Sequence, residues 1–164
     1  MNQFEDNVKI EDVIQKQGFY AGTTVGVSMY PMLRNRRDTI VLKPKKGKLK
    51  KYDVPLYKVG QKYVIHRVIK VITDGYIIRG DNLVLKERVP DSAILGVLTE
   101  FYRNPNNMDQ SNARISNDVK PINMKGLKYN LYVRVWHYSF PIRLAYKKCR
   151  TLAGRVLRRI GLKK

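Results

Sequence analysis

Residues 62–79 read Lys-Tyr-Val-Ile-His-Arg-Val-Ile-Lys-Val-Ile-Thr-Asp-Gly-Tyr-Ile-Ile-Arg. Tyr63 to Ile72 is crowded with β-branched side chains, whose restricted χ1 suits an extended backbone. Asp74-Gly75 then marks a tight turn, and Tyr76-Ile77-Ile78-Arg79 returns as a second strand. Upstream, Val54 to Lys58 reads as the partner of Tyr63 to Ile72 in a hairpin around Gly60-Gln61. Working outward, Gly22 to Val27, Thr39 to Leu42 and Ile94 to Tyr102 also read as strands, separated by Pro, Gly, Asn and Asp. Short strands with turn signals at this spacing predict a mainly β domain over about residues 20–103.

The flanks differ in character. Val8, Ile10, Val13 and Ile14 fall at near-helical spacing before Gly18, which predicts a short amphipathic helix over about residues 7–17. Residues 104–124 are dominated by Asn, Asp, Ser and Pro and read as a polar linker. Residues 125–164 carry twelve Lys or Arg and no Asp or Glu. Tyr129 to Phe140 is aromatic-rich, and from Ile142 apolar residues at 142, 145, 149, 152, 156 and 160 form a helical stripe. The expected organisation is therefore α+β: a β domain within residues 1–103, a linker, and a basic C-terminal segment. Such a segment suits an anionic membrane surface. Nucleic acid, or simple docking of the stripe on the β domain, are the other readings. The lysine-rich loop 43–51 is either solvated or a surface for an acidic partner.

Composition bounds the function. The 164 residues carry a net charge of +20 and a pI near 10.2, which favours an anionic partner without choosing one. The single cysteine, Cys149, excludes an internal disulfide and a cysteine-based zinc cage. His66 and His137 lack paired-ligand spacing, and no Gly-rich phosphate loop occurs, so no cofactor is expected. The N-terminus has no apolar signal-peptide region, and no run of about 18 apolar residues predicts a membrane span. The expected location is the cytoplasm, or the cytoplasmic face of a membrane.

Two residue types stand out for chemistry. Ser28 sits in Gly26-Val27-Ser28-Met29-Tyr30-Pro31-Met32-Leu33, at a break between an apolar strand and a proline turn. His66 lies inside the strand quoted above. Taken alone, each has an ordinary structural reading: a serine bonded to its local backbone, and a satisfied strand histidine. Together they are the minimum parts of a nucleophile and its general base.

Their context resembles a known family. Ser28-Met29-Tyr30-Pro31 is similar to the Ser-Met-x-Pro box of the type I signal peptidases and their LexA-like relatives. Asp53-Val54-Pro55-Leu56-Tyr57-Lys58 resembles the next box. His66-Arg67 matches the histidine-base version of the third, and Gly80-Asp81-Asn82 the fourth. The ordered set covers about residues 20–100. It implies a coiled β-sheet fold and a serine endopeptidase cutting leader or signal-type peptides, with small residues before the cut.

The resemblance implies Ser28 as nucleophile, His66 as base and Asp81 as the acid orienting it, with Glu87 as the alternative acid. The Ser28 N–H becomes the main oxyanion donor, because Gly26 stands where bacterial leader peptidases often supply a serine hydroxyl. Met29 and Tyr30 are expected to line the cleft and Pro31 to hold the turn. LexA-like self-cleavage is a lesser alternative, since Ala21-Gly22 resembles the dipeptide those proteins cut. It lies only six residues before Ser28, and no helix-turn-helix region precedes it. A non-catalytic β domain with a basic binding tail is the competing class.

Overall fold

The computed structural model describes residues 9–104 and 120–159. The chain divides into two compact units between Gly126 and Leu127. Among the described residues, the first holds helix α1 (Ile10–Gln17) and nine strands: β1 (Tyr20–Thr23), β2 (Thr39–Lys43), β3 (Pro55–Val59), β4 (Lys62–Ile65), β5 (Arg67–Ile72), β6 (Gly75–Arg79), β7 (Glu87–Pro90), β8 (Ile94–Tyr102) and β9 (Ile122–Asn123). The second holds α2 (Leu127–Tyr138) and α3 (Phe140–Arg159).

The fold is mainly β, and all strand pairs are antiparallel. One sheet has the order β1-β2-β8-β3-β4, with β9 also paired to β8, and the other is the meander β5-β6-β7. Register shifts at Val41/Leu42 and Leu56/Tyr57 mark bulges, which bend strands and increase their twist. Both edge strands of the larger sheet, β1 and β4, face one cavity. That is the arrangement a curled sheet produces.

The stretch that decides the fold is divided between the two sheets. Tyr63 to Ile72 is not one strand: it breaks at His66, with β4 pairing in the larger sheet and β5 in the smaller. Periodicity could not show this, since both pieces are equally β-branched and the break is set by different partners. The first strand also ends early, at Thr23, which leaves residues 24–28 as loop. Strand β7 has no signal in the sequence, because Glu-Arg-Val-Pro carries no strand pattern of its own and is held by pairing with β6.

Helix α1 begins at Ile10 and ends on Gly18 in the left-handed region, with φ of 78°, where glycine escapes the Cβ penalty. Ile14 is its buried residue, and Glu11 bonds Lys58 on β3 and Tyr63 on β4. Leu49, Tyr57, Val68, Tyr76, Ile78, Val89 and Ile94 form a core cluster drawn from both sheets. Part of the lysine-rich loop is pinned to it. Leu49 is buried and donates its N–H to the Tyr76 hydroxyl. Lys45 pairs with Asp91, and Lys48 donates to the Thr73 carbonyl at 2.9 Å.

Ala21 and Gly22 lie in β1, in register with Val41 and Ile40. Of the expected linker, Asn104 is buried against Arg37 and Thr39, residues 122–123 form β9, and residues 105–119 lie outside the described chain. In the second unit the helix starts at Leu127, well before Ile142. The aromatic stretch is thus itself helical, with Tyr132 stacked on Trp136 and the Arg143 guanidinium over the Trp136 ring. Residue 160 of the expected stripe lies outside the described residues.

Candidate active site

Ser28 enters the site from the loop after β1. Gly26 in this loop has φ of 112°, a conformation that side chains rarely adopt. Its N–H is held by the Asn35 side chain at 2.8 Å. A turn over residues 27–33 follows, with the Tyr30 N–H on the Val27 carbonyl and the Leu33 N–H on the Met29 carbonyl. Met29, Met32 and Leu33 are buried beneath it.

His66 enters at the junction of β4 and β5, where the chain passes from one sheet to the other. It is buried. Its Nδ1 lies 3.0 Å from the Tyr57 hydroxyl and 3.5 Å from Glu87 Oε1. The Tyr57 hydroxyl in turn donates to Glu87 Oε2 at 2.7 Å. Burial, reinforced by Glu87, raises the Tyr57 pKa far above that of a free phenol, so the phenol stays protonated.

The tautomer is assigned from these contacts. The phenol has one proton, and it goes to the carboxylate, which as an anion only accepts. The phenol oxygen therefore accepts from His66, so Nδ1 carries the ring proton and Nε2 carries the lone pair. A neutral imidazole in this form can receive a proton at Nε2. Burial holds the His66 pKa below its ordinary 6.5, while the negative charges of Glu87 and Asp81 and the Glu87 hydrogen bond pull the other way without cancelling it.

Asp81 is placed differently. Its two oxygens accept from Arg67 Nε and Nη2, both at 2.7 Å, in a bidentate pair buried on both sides. Arg67 also donates to the Tyr52 carbonyl and to Met32 Sδ. The residues on either side of Asp81 hold the serine segment. The Asn82 N–H donates to the Ser28 carbonyl at 2.8 Å, and the Asn82 side chain donates to the Val27 carbonyl. A Cβ on Gly80 would stand 2.8 Å from the Ser28 carbonyl oxygen, so only glycine lets these backbones come so close. Gly80-Asp81-Asn82 is thus a brace that joins the Ser28 turn to the residue after His66.

Ser28, His66 and Glu87 line one cavity of about 690 Å³, together with Gly26 and Met29. Tyr30 and Pro31 do not line it: Tyr30 is exposed, and the Pro31 carbonyl accepts from Arg103. The remaining walls are largely apolar, with Leu33, Ile40, Leu42 and Leu56 at the base and residues of β1 and β4 at the sides. Among the described residues, the Ser28 hydroxyl makes no hydrogen bond. Tyr57 is the participant that residue types alone did not single out as part of the site. Its only sequence signal was its place in the second motif, and its reach to His66 depends on the β3–β4 register. No protein-family model matches the chain, and no curated protein matches it.

Proposed function

We propose that the chain is a serine endopeptidase of the signal peptidase-like type, with Ser28 as nucleophile and His66 as general base. The observation that carries this reading is that both line one cavity, with His66 Nδ1 held by Tyr57 and Glu87 and Nε2 left to accept a proton. A substrate segment in extended form would lie between the edges β1 and β4, whose unpaired backbone groups can take an added strand.

The chemistry follows from those positions. As Ser28 Oγ bonds to the scissile carbonyl carbon, Nε2 removes its proton. Negative charge develops on the carbonyl oxygen, for which the Ser28 N–H is the donor at the turn. The imidazolium formed is stabilised by Glu87, directly and through Tyr57, and returns its proton to the leaving amine. Water then hydrolyses the acyl-enzyme with the same base. Asp81 acts at one remove, as the group that positions Arg67 and the brace. The apolar walls favour a cleaved segment with apolar side chains.

The test is incubation of wild type, Ser28→Ala and His66→Ala with a peptide library, with cuts located by mass spectrometry. Wild type should cleave, and each variant should fall by about 100-fold or more. Equal cleavage by all three would sink the assignment. The absence of a bond from Ser28 Oγ to His66 favours one other reading, a non-catalytic β domain. Reaction of Ser28 with an acylating serine probe in wild type, lost in His66→Ala, separates that reading from a narrow substrate range.

A further inference from the structure

The second unit carries a surface that the peptidase reading does not use. The Ser139 N–H bonds the Val135 carbonyl, and the Arg143 N–H bonds the Ser139 carbonyl, both at 3.0 Å. These two bonds have helical spacing and lead the chain from α2 into α3 through the turn at Ser139. Pro141 sits in the first turn of α3, where its missing N–H is tolerated. Along α2 and the start of α3, Leu127, Leu131, Val135, Tyr138, Ile142 and Tyr146 follow one another in steps of three or four residues, and all are exposed. Cys149 and Leu152 extend the line, also exposed. Such steps keep side chains on one face of a helix, within about a third of its circumference.

We infer that this face lies on an anionic lipid bilayer, parallel to its plane. Three observations select that occupant. Residues 125–164 carry twelve basic and no acidic residues, so a second copy of the face would set like charges together. Exposed Lys128, Arg134 and Lys148 stand at the margins of the stripe, where lipid phosphates would meet them while the apolar side chains enter the acyl boundary. A nucleic acid would engage those cations and leave Leu131, Val135 and Ile142 uncovered. Among the described residues, no helix is long and apolar enough to cross a membrane, which fits a helix lying in the interface.

Cys149 is the only cysteine and lies on the stripe, so an environment-sensitive fluorophore attached there reads insertion directly. The full chain would be mixed with vesicles of phosphatidylcholine, with and without about one-third phosphatidylglycerol. A blue shift and co-flotation with the anionic vesicles, weakened by salt, are expected. Leu131→Ser/Val135→Ser/Ile142→Ser should reduce binding at least about tenfold. Circular dichroism checks its helix content, and Ile142→Ser alone replaces it should the triple variant lose helix. Ser28→Ala should bind as wild type does, which keeps this result separate from peptide cleavage. Equal binding to neutral vesicles, or serine variants that bind unchanged, overturns the proposal. So does lipid-free dimerisation that buries the label, or RNA binding indifferent to the serines when vesicles give no shift.

Discussion

At His66 the structure separates two jobs that a single acid was expected to do. Glu87 faces the imidazole, and its charge raises the His66 pKa against the effect of burial. Removing that charge while keeping the shape therefore has a definite sign. In Glu87→Gln the imidazolium loses stabilisation, the His66 pKa falls further, and the acid limb of kcat/KM moves to lower pH. The limb of wild type already lies below the ordinary 6.5 of histidine. The plateau rate should fall as well, because imidazolium forms during attack. A pH–rate profile of both proteins checks this, and an acid limb that stays in place would remove Glu87 from the site.

Among the elements, the Gly80-Asp81-Asn82 turn after β6 does the most to hold the site together. It bonds the serine loop through Asn82 and the start of β5 through the Arg67–Asp81 pair. Breaking a buried ion pair from one side leaves an uncompensated charge and costs about 3–5 kcal/mol. Asp81→Asn should accordingly lower the unfolding free energy from urea titration by about that much, whereas Glu87→Gln, at a partly exposed carboxylate, should leave it nearly unchanged. An Asp81→Asn protein of wild-type stability but without activity would make Asp81 a catalytic rather than a positioning residue.

For the whole molecule, a charge of +20 on 164 residues means that the folded chain repels itself. Screening relieves this over a Debye length of about 8 Å at physiological salt. The thermal midpoint should thus rise between low salt and about 0.15 M. Membrane binding should weaken over the same range, because salt also screens attraction to anionic lipid. A midpoint independent of salt would show that local ion pairs, such as Lys58–Glu11, already offset the repulsion.

Much of this was legible in the chain itself. β-Branched runs and the Asp-Gly turn determined that the domain is mainly β, because both signals act within a few residues. Ser28 and His66 stood out by type and context, whereas the positive φ at Gly26 and the close backbone approach at Gly80 are visible only in the folded chain. The apolar stripe from Ile142 was visible in spacing, but its run through α2 was not. What the tertiary structure decided is everything that depends on residues far apart meeting. The break at His66 exists because β4 and β5 have partners in different sheets. Glu87 rather than Asp81 stands beside the imidazole because β7 pairs with β6. Tyr57 links them through the register of a neighbouring strand. Local sequence carries strand propensity, but pairing partners and register come from packing across the whole sheet. The identity of a proton's neighbour is therefore a tertiary fact.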